Sequence, residues 1–352
     1  MKKIAKLLVR LFFKIVPFGF LVKKYTNIKL SKSIFEDIFE QVYVERFFEK
    51  SLLVKNFDEC CKKVESSNRY CLIQQGNWEY KVINFCFVKE MLSNIIWCIE
   101  RGYKPLIDIK SSIGNYKEKS NLWEKMYIQP FGEDLEKIKN NPNVQLIICP
   151  LKAHCINPVM RDVRGSTRGS KKIEFWNMMF NKFVVYNDFC QKYVDDEFET
   201  LLKDKRCLGC LIRGTDYIKI RPKSNPIQPT LEELIEKAKQ TMKEQKLDYI
   251  YLATEEKKAA DALKNEFGDI IIENKRKYFD EVYEKENISR VSQVNFDRED
   301  DDFWKMLEYM SSINLLSKCE SIVAGLCGGS EAAIYFNGNK YRETYLFDKG
   351  YY

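Results

Sequence analysis

The chain has 352 residues, of which 45% are hydrophobic and 31% charged, with a formal net charge of +7, twelve cysteines and one histidine. That length exceeds a single compact core and suits two domains of about 150 residues each. A lone histidine, His154, excludes a histidine-based catalytic triad and a histidine-rich metal site.

The positive charge is concentrated at one end. Residues 1–35 hold nine bases (Lys2, Lys3, Lys6, Arg10, Lys14, Lys23, Lys24, Lys29 and Lys32) and no acid, so +7 less nine leaves −2 for the remainder. A body near neutrality excludes a broad phosphate-backbone footprint, and no nucleic-acid partner is expected. In the first segment Lys3, Lys6, Arg10 and Lys14 share one narrow helical face, with Leu7, Leu8, Leu11, Phe12 and Ile15 around the rest. This pattern predicts a helix lying on an anionic membrane surface through residues 1–27, detached from the body by Pro17 and Gly19. The run is too charged to cross a bilayer and has no cleavage site of the secretory kind. The expected location is therefore cytoplasmic, peripheral on the inner face of the plasma membrane. The cysteines are scattered and read as reduced core thiols; Cys71, Cys86, Cys98, Cys149 and Cys319 sit in apolar runs, and Cys207 and Cys210 begin a strand.

In chain order, a first half spans residues 36–203. Strands are predicted at Tyr70–Gln74, Lys104–Ile109 and Gln145–Cys149. Helices are predicted at 84–101, ended by Gly102, and at 121–140 and 174–203. A basic loop, Arg161 to Lys172, faces solvent or an anionic acceptor. A second half spans residues 204–352, with strands at Leu208–Ile212, Tyr249–Ala253, Ile270–Ile272 and Ser321–Leu326. Its helices are predicted at 230–245, opened by a Thr230/Glu233 capping box, and at 256–267, 303–317 and 331–336. Strands alternating with helices imply α/β halves with parallel sheets, two Rossmann-like domains facing across a cleft. Asp300, Asp301 and Asp302 suit the positive N-terminal end of a helix better than a metal.

Three strands of the second half end in polar or glycine-rich turns: Arg213-Gly214-Thr215-Asp216, Thr254-Glu255 and Gly328-Gly329-Ser330-Glu331. Ligands of open parallel sheets sit at such carboxyl ends. Arg213 offers a forked guanidinium to a diphosphate, and Gly214 allows close approach of a ligand or a neighbouring turn. Gly328, Gly329 and Ser330 present backbone amides at a helix start. Lys219, Arg221 and Lys223 alternate, so an extended segment would point them to one side, where they add to the phosphate field or solvate an exposed edge.

The stretches LIRGTDYIKIRPKSNPIQPT, YIYLATE and INLLSKCESIVAGLCGGSEAAIYF resemble the donor-binding half of the fucosyltransferase-like glycosyltransferases. That group includes the α1,6- and nodulation fucosyltransferases and bacterial relatives that build surface polysaccharides. ERGYKPLIDI and NLWEKMYIQP resemble first-domain signatures of the bacterial branch, so the likeness covers most of residues 70–352. It implies a GT-B-type fold, a GDP-sugar donor (typically GDP-fucose), no metal or other cofactor, and transfer with inversion. By the same resemblance Arg213 binds the donor β-phosphate, Thr215 and Asp216 complete its turn, and Gly328 to Glu331 lie beside the donor. Lys219, Lys223, Thr254 and Glu255 join the expected donor-binding set. Leu211, Arg221 and Ser312 stand where those enzymes carry a histidine, a glutamate and an aspartate. Asp216, the one acid inside the strongest motif, is then the candidate general base. The expected acceptor is a cell-surface glycan or lipid-linked oligosaccharide. Losing those three residues keeps a second reading open, a non-catalytic, membrane-associated nucleotide-sugar-binding protein of polysaccharide assembly.

Overall fold

The computed structural model describes residue 11 and residues 46–74, 84–109, 121–149, 170–214, 216–221, 225–285 and 294–352. The basic N-terminal helix, the Arg161–Arg168 part of the basic loop, Thr215 and Lys223 lie outside these residues. No helix among the described residues is long and apolar enough to cross a membrane. The chain divides into two compact units, one of residues 1–79, 87–124 and 128–184, the other of 80–86, 125–127 and 185–352.

In the first unit, β1 (Arg69–Ile73) lies between β2 (Lys104–Ile107) and β3 (Gln145–Ile148), all parallel. Alternation along β1 sends Tyr70 and Leu72 to one face, where they pack with Leu135 and Ile138. Cys71, of opposite parity, meets Cys98 on α2 (Phe85–Glu100), which succeeds α1 (Phe57–Glu65). Gly102, at φ 73°, turns the chain from α2 into β2. Also on α2, Glu90 is buried at 5% exposure with its Oε2 lacking a hydrogen-bond partner. Burial pushes its carboxyl up to about 9, so it is neutral at pH 7.

The helix expected over 121–140 is not there. Turns run to Met126, a 3-10 turn covers Pro130–Gly132, and only α3 (Leu135–Lys139) is helical. β2 is an edge strand whose outer backbone groups need partners. Gln129 supplies them in strand-like fashion, accepting from Ile107 N at 2.9 Å and donating to Ile107 O at 2.7 Å. Asn121 accepts from Ile109 N at 3.1 Å. Pro130 further stops any helix from running through. The unit closes with α4 (Lys171–Phe183), capped by Ser170.

The long continuous part of the second unit begins at Val185. α5 (Asp188–Leu201) belongs to the second unit because it packs on α10 (Asp301–Ser317), where Ser311 donates to Glu197 and Tyr193 meets Trp304 at 6.1 Å.

The second unit's sheet has the order β6-β5-β4-β7-β8, all parallel. Its elements are β4 (Cys207–Ile212), α6 (Asp216–Ile220), α7 (Leu231–Gln245), β5 (Tyr249–Thr254), α8 (Lys257–Phe267) and β6 (Ile271–Ile272). α9 (Asp280–Lys285), α10, β7 (Ser321–Gly325), α11 (Gly328–Asn337) and β8 (Thr344–Phe347) complete it. The first strand in sequence is thus central; the chain winds outward to β6, then returns to β4's other side. β4 is buried along its whole length, as a central parallel strand with both faces covered must be. Leu208, Cys210 and Ile212 pack against Leu234 and Ala238 of α7 and Ala259, Ala260 and Leu263 of α8. On the opposite face, a Cβ added at Gly209 would fall 2.6 Å from Leu316 Cδ1, so glycine is what lets α10 sit this close to the sheet. The Thr230/Glu233 capping box is present, with bonds of 2.8 and 3.3 Å. At the start of α10, where Asp300 is the N-cap residue, Asp301 pairs with Arg298 and Lys305, and Asp302 with Lys305.

Candidate nucleotide-binding crevice at the strand switch

In this sheet order the winding direction reverses between β4 and β7. That is where an open parallel sheet forms its crevice, outside the carboxyl ends of the two strands. The residues at those ends are Arg213-Gly214 after β4 and Leu326-Cys327-Gly328 after β7.

Arg213 leaves β4 half-buried, and its Nη1 pairs with Glu255 at the end of neighbouring β5. Its guanidinium also lies over the Tyr217 ring, 5.0 Å from the centroid. Glu255 is itself fixed, its carbonyl accepting from Phe279 N at 2.8 Å. Thr254 is buried, its hydroxyl accepting from Glu256 N at 3.2 Å. Gly214 serves close approach of a neighbouring turn: an added Cβ would lie 2.0 Å from Glu256 Oε2. Arg213 is therefore held by the Glu255 carboxylate at β5's end and by the face of the Tyr217 ring.

The opposite wall is the start of α11, one turn earlier than expected, so the glycine pair lies inside the helix. Ser330 is fully buried, and its hydroxyl is used within the turn, facing Gly325 O at 2.8 Å and accepting from Cys327 N at 3.0 Å. It shapes the site from beneath. The amides are not all bare: the Cys327 thiol caps Ser330 N, and the Gly329 and Ser330 amides pull its pKa down against the burial that raises it. Gly328 packs its α-carbon toward Phe85, and Gly329 toward Ile313, Leu211 and the Tyr309 hydroxyl. Glu331 lies in the first turn of α11, part-exposed.

Tyr309 is a site residue the sequence does not announce. It sits mid-helix in α10, where an aromatic reads as core. Its hydroxyl oxygen lies 3.6 Å from where a Cβ on Gly329 would be, within the electrostatic reach of Arg213, Tyr217 and Cys327. Burial pushes its pKa well up, so the phenol remains a hydrogen-bond donor. Gln228 is a second. Its amide covers Gly325, Nε2 donates to Leu326 O at 2.8 Å, and Oε1 is buried with no hydrogen-bond partner. The hydrogen bonds of Ile227 N to Gly350 O and Tyr352 N to Asn225 O pin that loop to the chain's end.

The extended, one-sided basic segment is corrected. Residues 216–220 form α6, begun by the bond from Tyr217 N to Gly214 O, and Asp216 is its first residue. Lys219 consequently turns to α9, with its ammonium 4.9 Å from the Tyr283 ring centroid, and Arg221 is exposed at φ 48°. The structure thus brings Arg213, Gly214, Thr254, Glu255 and the α11 start to adjacent strand ends, and sets Lys219 on α6 against Tyr283. Of the three replaced positions, Leu211 is buried on β4, while the Ser312 hydroxyl is engaged by Tyr251 at 3.4 Å and Arg276 at 3.5 Å.

A doubly wound α/β unit with a guanidinium and a helix start at its switch point is a class of fold suited to holding an anionic nucleotide. No family profile matches the sequence, and no curated protein matches it. Among solved structures, the chain is similar to a GDP complex of an Arabidopsis thaliana FUT1 variant, at TM-score 0.43 and 9% identity, covering 91% of this chain and 80% of that one. It is similar to the fucosyltransferase NodZ from Bradyrhizobium at TM-score 0.42 and 10% identity, covering 76% and 93%. For a GDP complex of POFUT1 the values are 0.29 and 10%, covering 86% and 78%.

Proposed function

We propose that the protein is a glycosyltransferase that takes its sugar from a nucleotide diphosphate donor, GDP-fucose by the sequence resemblance. The observation that carries this reading is the meeting of Arg213 and the start of α11 at the β4/β7 switch point. A guanidinium fork and a helix N-terminus are the groups a leaving diphosphate needs as the sugar–phosphate bond lengthens. The acceptor hydroxyl forms the new bond to the anomeric carbon, with inversion, the diphosphate departs with the old bond's electrons, and the hydroxyl proton goes to a base. Asp216, at the head of α6, is the candidate for that base. Arg213 and the helix start supply charge stabilisation, so the step calls on no metal ion. Thr215, Gly214 and Lys223 would complete the donor turn, and a cell-surface glycan or lipid-linked oligosaccharide is the acceptor. Residues 1–27 would bring the enzyme to the inner face of the membrane where such acceptors are held.

Calorimetric titration of the full chain with GDP, GDP-fucose, GDP-mannose and UDP-sugars tests the donor. The expected result is binding of GDP-fucose that Arg213→Ala abolishes without changing the circular dichroism spectrum. Preference for a UDP-sugar would refute the fucose assignment, and equal affinity in Arg213→Ala would remove Arg213 from the site. Donor binding with neither hydrolysis nor transfer would favour the non-catalytic binder.

A further inference from the structure

The first unit holds a cluster that the proposed transfer reaction does not use. Cys71 on β1, Cys98 near the end of α2 and Cys149 just beyond β3 are far apart in sequence. Parallel pairing brings β1 and β3 together, Cys149 N extending the ladder to Leu72 O at 2.8 Å, while α2 covers the β1 face that carries Cys71. The three sulfurs lie within 4.8 Å of one another, with Cys71 and Cys98 fully buried and Cys149 at 6% exposure. We propose that Cys71, Cys98 and Cys149 form a three-thiol site for a soft monovalent cation of the Cu(I) class.

Geometry and charge both favour such an ion. A trigonal metal with metal–sulfur bonds of about 2.3 Å places its sulfurs about 4.0 Å apart, a spacing compatible with sulfurs that all lie within 4.8 Å of one another. Among the described residues no histidine, further cysteine or carboxylate joins the group. A sulfur-only set of three suits a soft, low-coordinate cation; structural zinc takes four ligands. On binding, Cu(I) displaces protons from two thiols, which leave to solvent, and the third coordinates as a thiol. The product carries one net negative charge, and no electron is transferred. Arg101, three residues beyond Cys98, carries a positive charge and is held over the Trp97 ring at 4.3 Å. Cys207, Cys210 and Cys319 in the second unit are equally buried but are not gathered in this way, which makes them an internal control.

The test is anaerobic titration of the reduced full chain with Cu(I) held by a competing chromophoric chelator, following both chelator absorbance and thiolate-to-copper charge transfer. The expected result is one tightly bound ion per chain, weakened by about tenfold or more in Cys98→Ala and retained in Cys210→Ala. Equal competition by the parent chain and Cys98→Ala would place copper on other thiols and overturn the proposal. X-ray absorption of the copper-loaded parent chain decides the case even if Cys98→Ala does not fold. Three sulfurs at about 2.3 Å support the site, and a shell containing nitrogen or oxygen overturns it. Neither outcome bears on nucleotide binding, which these thiols do not touch.

Discussion

Glu90 allows a stability prediction with a defined sign. Burial raises its carboxyl from 4.5 to about 9 in the folded chain, while the unfolded chain ionises it normally. Between those values the folded state holds a proton that the unfolded state has released, so stability falls as pH rises through the window. The contribution is fully present below pH 4.5 and is lost by about pH 9. At pH 7, roughly 2.5 pH units above the unfolded value, the cost reaches on the order of 3 kcal/mol at 1.36 kcal/mol per unit. Glu90→Gln keeps the shape and removes the titration. It should therefore stabilise the protein at pH 7 by up to that amount, with little effect near pH 4.5. Urea unfolding of both proteins at pH 5, 7 and 8.5 measures it, through midpoints at unchanged slope. If the two proteins lose stability in parallel across that range, Glu90 is ionised in the fold and its burial has been misjudged.

Other substitutions test the crevice and its supports. Arg213→Lys should bind donor at least about tenfold more weakly, because a point charge replaces a paired fork, and calorimetry reads the change directly. Tyr309→Phe should slow donor hydrolysis or transfer by about tenfold, about the worth of one hydrogen bond to the leaving group, with the melting temperature little changed; an unaltered rate would remove the phenol from the site. Ser330→Ala should cost about 1–3 kcal/mol of stability and weaken donor binding together, since the hydroxyl holds the turn that presents α11. Gly209→Ala should destabilise by about 1–3 kcal/mol through the clash with Leu316, with the affinity of the remaining folded protein unchanged.

The regular parts of the fold were legible because burial leaves a plain signature. β4, β5 and β7 are unbroken apolar runs followed by turn residues, and the strand ends located Arg213 and the α11 glycines from sequence alone. Irregular elements were not legible, because their partners lie far away in the chain. The 121–129 segment is shaped by β2's unpaired edge, which only Gln129 and Asn121 in three dimensions reveal. β8 is only four residues long, and Thr344 and Tyr345 are exposed at the sheet edge, so it lacks the burial that marks its neighbour β7. Tyr309 and Gln228 became site residues through α10's packing on the sheet and the closing bond to Gly350. The alternating bases after Arg213 fit a strand period as well as a short helix, and α6 takes the helical choice.

The central position of the unit's first strand has a consequence for how the molecule is made. β4 leaves the ribosome more than a hundred residues before its neighbour β7. Until then one side of an entirely apolar strand has no partner, an invitation to association with other chains. Premature termination anywhere before β7 would therefore leave more than a missing crevice wall: it would release a sheet with a sticky open edge, a natural client for chaperones and proteases.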